Sequence, residues 1–491
     1  MSHGFAPDDL LLSTIIPIPK GKSCNVTDSS NYRGIALSSI LGKVFDKIVI
    51  SRYGDLLSSS DLQFGFKAGR STNMCTMVLK ETISYYINNG STVFCTMLDV
   101  TKAFDRVEYC KLFRLLLARN LPPVIIRFLL DMYTRHISSV CWNGVASSIL
   151  SVRNGVKQGG VLSPILFCVY FDDLLIRLSA KKTGCFMGHY FVGAFAYADD
   201  LVLLAPTPRA MRSLLAVCDD FGADFNVVFN ANKSKCLIIP PRYVRSKQPL
   251  CSEKPVFTVG GNTIEFVDHW PHLGHIISNN FDDVNDINSR RFSMIGQINS
   301  VLCYFSHIDP LNRSQLLQAY CSSYYGCELW NLWHNSLDQF YASWRRGVRK
   351  AWRLPFTTHN NLLPVLCGTC PIEDVICCRV LGFISTCLAC SCPIVNFVAN
   401  YGISFGKLMS PIGSNIAFCA LKYSCDVESV VYNRSAFFKF KNSVRASQYS
   451  NDIVAKATLL LELIMVRQRL LFVPNFVQDN INSLLCSVCT D

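Results

Sequence analysis

No stretch of this chain reaches the ~18 apolar residues of a membrane-crossing helix. The longest candidate, VLSPILFCVYF from Val161 to Phe171, is shorter and holds Pro164, so no membrane partner is expected. The opening MSHGFAPDDLLLSTIIPIPK has no basic leader ahead of its apolar part and no small-residue cleavage site, which excludes a secretory signal from the reading. Low-complexity tracts and a repeat period are missing too. Charge is scarce at 17% and acids are scarcer than bases, 35 against 47, leaving a formal +12 that suits a polyanionic partner.

Cysteine, by contrast, is abundant. Twenty-four cysteines in a chain without a secretory signal imply a reducing compartment, nuclear and cytoplasmic. Most sit singly among apolar neighbours (Cys95, Cys168, Cys218, Cys236), where a thiol behaves as a small hydrophobe. With 491 residues, half of them hydrophobic, the chain has material for roughly three domain-sized units of about 100–200 residues and a sizeable core.

Two acidic segments stand out. STVFCTMLDVTKAFDRV reads as a strand from Thr92 to Leu98 with Asp99 at its end, and EYCKLFRLLLARN then turns helical until Pro122. HYFVGAFAYADDLVLLA reads as a hairpin, His189 to Tyr197 up, a turn at Ala198 to Asp200, and Leu201 to Ala205 down. If these strands are neighbours, Asp99, Asp199 and Asp200 converge on one sheet edge. Three carboxylates oppose one another's ionisation and suit hard cations such as magnesium. A lone Asp-Asp at a turn is ordinarily a solvated turn.

Between the acids lies NGVKQGGVLSPILFCVYFDDLL, a Gly-rich loop before an apolar helix. The order D-x4-F, Q-G-x3-S-P-x-L-F, Y-A-D-D resembles the palm of a reverse transcriptase, most closely the LINE-type (non-LTR) retrotransposon enzymes. The likeness extends to IIPIPKGK, NYRGIALSSILGKVFDKIVISR, LQFGFKAGRSTNMC, FNANKSKCLII, PHLGHIIS and LLQAYCSSYYGCELW, roughly residues 12 to 380. It implies an α+β right-hand polymerase. Fingers would span 1–90, the palm 91–255, a primer-grip hairpin and thumb 256–355, and a helical C-terminal region 356–491.

The resemblance implies RNA-directed DNA synthesis by two-metal nucleotidyl transfer. Asp99, Asp199 and Asp200 would hold two Mg²⁺, with Mn²⁺ able to substitute. Lys20 and Arg33 would contact the incoming triphosphate. Gln158, Gly159 and Gly160 would lie against nucleotide and template, although the family more often has Pro and Ser where this chain has Lys157 and Gly160. Phe104 would sit beneath the nucleotide sugar and block a 2′-hydroxyl. Lys233 would protonate the leaving pyrophosphate, with Lys235 close enough to be confused with it. Leu273 and Gly274 fall in the primer-grip segment.

In YASWRRGVRKAWRLP, Arg345, Arg346, Arg349 and Lys350 interleave with aromatics and read as a grip on a phosphate backbone. The C-x2-C pairs Cys367/Cys370 and Cys387/Cys390 flank an apolar helix-like run, so buried thiols read better than zinc; Cys486/Cys489 is half a site at most. Nothing resembles the endonuclease that usually precedes this polymerase. The chain thus reads as a fragment whose partners are RNA template, DNA primer, dNTPs and an endonuclease from a missing module or another chain. A decayed copy that only binds nucleic acid, and a group II intron-type maturase, are the alternatives.

Overall fold

The computed structural model describes residues 4–21, 25–243, 255–322, 324–446, 453–460 and 462. The Cys486/Cys489 pair lies outside them. The chain forms two compact units, one from residues 1–75 and 86–268, the other from 76–85 and 269–491. Both mix helices with β-structure, the α+β class expected. Among the described residues no helix is long and apolar enough to cross a membrane.

The first unit carries two sheets. In one, the strand Leu12–Pro19 pairs antiparallel with Tyr32–Ser38, Ile18 opposite Arg33, and parallel with Ile137–Trp142. The other has the order Glu265–Phe266, Lys235–Ile239, Val93–Leu98, Asp200–Ala205, Ala194–Tyr197. Its central strand, VFCTML, is buried at all six positions, as a strand covered on both faces must be.

Helices Ser163–Ala180 and Pro208–Phe225 pack against this sheet and each other. Phe167, Phe171 and Phe221 are among the largest fully buried side chains, each worth about 1.5–3 kcal/mol of burial. The second helix shows why the sequence starts and stops it. Thr207 caps it by accepting the Ala210 N–H at 3.2 Å, Pro208 opens the first turn, and Asn226 ends it in the left-handed region at φ 51°.

The hairpin differs from its sequence reading at both ends. Tyr190–Phe191 pairs with Phe186–Met187 in a ribbon of its own, and Ala194–Tyr197 alone pairs with Asp200–Ala205. Main-chain bonds at Gly193 and Cys185 explain the break. Gly193 accepts the Leu204 N–H at 2.8 Å and Cys185 donates to Leu204 at 3.0 Å, joining the ribbon to the sheet. The turn is two residues, Ala198 and Asp199, with Asp200 already in the strand.

The second unit holds the hairpin His269–His272/His275–Ser278 and a set of helices. Val284–Tyr304 and Ser336–Trp352 pack together, while Ile372–Leu388 and Pro411–Tyr423 pack with one another. The middle of helix Thr72–Asn88 belongs here. Its Lys80 pairs with Asp283 at 2.7 Å, and its Glu81 accepts the Ile412 N–H at 2.8 Å. Burial pushes the Glu81 carboxyl up to about 7.

Candidate active site

Register brings the acids together. Leu98 faces Leu201, so Asp99 follows the end of one strand where Asp199 and Asp200 open the next. Burial and then the charge of Asp99 raise the Asp199 carboxyl above its ordinary range, with Arg33 opposing. The partial burial of Asp200, then the charges of Asp199 and Asp99, push that carboxyl up to about 6. The acids therefore sense one another electrostatically, and Arg33, exposed on the other sheet, senses Asp199.

The NANKSK loop anchors Asp99. The Asp99 N–H donates to Ser234 Oγ at 3.1 Å, Ser234 Oγ donates to the Asn230 carbonyl at 2.7 Å, and the Asn230 N–H returns to the Asp99 carbonyl at 2.8 Å. The same loop separates the two lysines that the sequence leaves confusable. Lys235 is buried and spends its ammonium on Glu265 and the Asn232 carbonyl, both at 2.7 Å. Lys233 is exposed.

Phe104, half-buried, stacks on Phe167 with centroids 5.0 Å apart at 16°, and Phe167 stacks in turn on Phe171. Its carbonyl accepts the Val156 N–H at 2.8 Å, which ties the ring to the start of the Gly-rich loop. In that loop Gln158 accepts the Ala36 N–H at 2.6 Å through its carbonyl, and Gly160 donates to Lys157 at 3.1 Å. Gly159 has φ +109°, and a Cβ there would stand 2.8 Å from the Ala36 oxygen. The loop therefore needs glycine to lie against the strand that bears Arg33. Lys20 follows the partner strand, its N–H bonded to the Asn31 carbonyl at 2.8 Å.

Two supporting residues escaped the sequence reading. Asp46, buried, accepts the Val161 and Leu162 N–H groups at 3.2 Å each, just ahead of helix Ser163–Ala180, where a carboxylate meets the favourable helix dipole. Burial lowers the nearby Lys157 amine to about 8, with Asp46 opposing. Gln63 grips the turn that carries Asp199. The sequence signal was only the block LQFGF, distant in the chain from both partners.

Leu273 and Gly274 form the two-residue turn of the second unit's hairpin. There Tyr325 donates to the Leu273 carbonyl at 2.8 Å and Arg290 donates to the Gly274 carbonyl. The four cations of helix Ser336–Trp352 divide by helical spacing. Arg345 pairs with Glu373, and Arg349 donates to the Thr358 carbonyl at 2.7 Å and to Asn360 at 2.8 Å. Arg346 and Lys350, one turn apart, are exposed. Trp344 and Trp352 are buried, so they pack.

Among the described residues no three His, Cys, Asp or Glu side chains enclose a cation by themselves. The acid cluster fits a divalent ion held partly by others' oxygens. Its donors are hard carboxylate oxygens, their mutual repulsion favours a bound cation, and magnesium usually binds through one or two protein carboxylates plus substrate phosphates. Of the cysteines in the apolar run, Cys377 and Cys387 are buried free thiols, while Cys367, Cys370 and Cys390 are part-exposed.

A family model described as reverse transcriptase (RNA-dependent DNA polymerase) matches residues 18–277. The Retrovirus-related Pol polyprotein from type-1 retrotransposable element R2 of Nasonia vitripennis is 28% identical over 289 residues, 58% of this chain and 28% of that protein. The corresponding polyprotein of R2DM from Drosophila melanogaster is 27% identical over 278 residues, 55% of this chain and 25% of that protein. The chain thus spans about a quarter of the length of these curated relatives. Among solved structures, apo telomerase from Candida tropicalis aligns with a TM-score of 0.41 at 11% identity, covering 86% of this chain and 70% of that one.

Proposed function

The chain belongs to the reverse transcriptase family, whose members generally use divalent metals, and from that premise we infer that it is the RNA-directed DNA polymerase of a non-LTR retrotransposon. The observation that carries this reading is the acid cluster, with Asp99 at one strand end and Asp199 and Asp200 opening the next. The 3′-hydroxyl of a DNA primer attacks the α-phosphate of a dNTP, a P–O bond forms, and pyrophosphate leaves. Asp99 and Asp199 would hold the cations, Mg²⁺ or Mn²⁺, with Asp200, the first residue of the following strand, as the second acid of the hairpin pair. When bound, two such ions stabilise the attacking and leaving oxygens of an in-line displacement.

The other residues bind, orient and exclude. Arg33 offers a bidentate guanidinium to the triphosphate and Lys20 a point charge. Phe104, backed by Phe167 and tied through its carbonyl to Val156, is a ring held firmly enough to refuse a 2′-hydroxyl. Lys233 is the better general acid of the two lysines, because Lys235 is committed to Glu265. Gln158, Gly159 and Gly160 shape the template side.

In the second unit, Leu273 and Gly274 support the primer. Arg346 and Lys350 offer a more available phosphate grip than Arg345 and Arg349, which are spent on protein. The RNA template, DNA primer and an endonuclease from elsewhere complete the set of partners. Buried free thiols such as Cys95 and Cys236 suit the reducing nucleus and cytoplasm.

Primer extension tests the reading. On poly-rA/oligo-dT with Mg²⁺, the chain extends the primer and Asp199→Ala does not; wild-type activity equal to that of the variant overturns the assignment.

A further inference from the structure

The turn bearing Asp199 is held in an unfavourable conformation. Ala198 has φ 58°, a left-handed geometry that is strained for a residue with a side chain and persists only where the surroundings impose it. Beyond the flanking strand pairing of Tyr197 with Asp200, one side chain grips it. Gln63 is fully buried; its Oε1 accepts the Ala198 N–H at 2.8 Å and the Gly65 N–H at 2.9 Å, and its Nε2 donates to the Ala198 carbonyl at 3.1 Å. Both faces of one peptide residue are thus satisfied by one amide, and that pattern also fixes which end is oxygen.

The backbone around Gln63 prepares this grip. The Phe64 N–H donates to the Ala196 carbonyl at 2.7 Å and the Ala196 N–H to the Leu62 carbonyl at 2.9 Å, so Leu62–Phe64 runs parallel to the edge strand. The main-chain ladder stops at Ala196, and the Gln63 side chain carries it two residues further. The segment is itself tied down. Arg70 donates to the Gln63 and Asp61 carbonyls at 3.0 Å each and pairs with Asp61, while Lys67 donates to Ser59 and Ser60.

We propose that Gln63 is a positioning residue for catalysis: its side-chain amide sets the Ala198 peptide, and through it the orientation of the Asp199 carboxylate toward the divalent cation. This rests on the polymerase reading above. The amide acts through the turn and does not touch substrate. Being neutral, it adds no charge beside the acids, so it acts on cation binding through the orientation of the carboxylate and not through its charge.

The test uses the full chain with Gln63→Leu and Gln63→Glu. Mn²⁺ binding is followed by electron paramagnetic resonance of the free ion, and kcat and KM for dTTP are measured on poly-rA/oligo-dT. Gln63→Leu leaves three buried backbone groups without this partner, so it should melt several degrees below wild type while its folded fraction keeps KM within about threefold. Its kcat should fall about a hundredfold, the cost of a misplaced catalytic group, and Mn²⁺ should bind about tenfold more weakly. Unchanged Mn²⁺ affinity together with unchanged kcat would overturn the proposal.

Should Gln63→Leu fail to fold, Gln63→Glu decides. When protonated, the carboxyl introduced by Gln63→Glu regains the donor to the Ala198 carbonyl, so the ratio of variant to wild-type kcat rises as pH falls from 8 to 6; a flat ratio refutes the role. A wild-type chain that does not extend primers sinks the polymerase reading alone, because the dependence of Mn²⁺ binding on the side chain at this position, read across the same pH range, still decides this one.

Discussion

Two hairpin turns in this molecule solve the same backbone problem with opposite chemistry. Ala198-Asp199 and Leu273-Gly274 are both two-residue turns whose first residue is left-handed without being glycine, at φ 58° and 48°, positions where glycine or asparagine is preferred. The Leu273 turn is braced by Tyr325 and by Arg290, whose guanidinium also lies 5.1 Å over the Tyr325 ring. The Ala198 turn is braced by a neutral, fully buried amide. A fixed cation beside Asp199 would neutralise the charge that attracts a metal ion. The cation that does act on Asp199, Arg33, stands exposed on another sheet.

The contrast breaks most severely when the acid itself is removed. Asp199→Asn should lower the primer-extension rate on the order of a thousandfold while leaving the turn folded, whereas Leu273→Asn should leave the catalytic rate within a few-fold and act on primer affinity. Rapid-quench single turnover separates the two. Next in size is the close approach that the amide brace requires. A Cβ on Gly65 would lie 2.3 Å from the Ala198 nitrogen, and Gly65→Ala should cost about 1–3 kcal/mol in urea unfolding and weaken Mn²⁺ binding.

Acidity sharpens the contrast further. Asp199 and Asp200 have folded-state pKa values raised above the unfolded value of about 4, Asp200 to about 6. Their contribution to stability is therefore fully present below about pH 4 and lost as pH rises through about 6. The metal-free chain should melt higher at pH 5 than at pH 7 on their account, Asp200→Asn should flatten that slope, and Mn²⁺ affinity should fall as pH drops below about 6. The smallest effect belongs to the charged brace. Tyr325→Phe removes one hydrogen bond at 2.8 Å, about 1 kcal/mol, and should leave the Mn²⁺ titration unchanged.

What was legible in the sequence follows distance along the chain. The Val93–Leu98 strand, the helix after Glu108 and the acid turn announce themselves locally through β-branched runs, helical spacing and the acids set in apolar text, and each lies within a residue or two of its reading. The ribbon at Phe186–Phe191 was hidden inside the hairpin reading because its apolar letters run on without a break. Long-range pairing was not legible. Lys235 pairs with Glu265, 30 residues on, and Arg345 with Glu373, 28 residues on. In both cases the sequence displayed the cation and gave no sign of its partner.

The strand that Leu62–Phe64 covers is the last in its sheet, and an uncovered last strand is a template on which other chains assemble. The cover precedes the turn by 135 residues, so during synthesis it leaves the ribosome first and is waiting when the edge strand emerges. A chain cut to begin after residue 70 lacks it and should partition into the insoluble fraction on expression, where the full chain stays soluble.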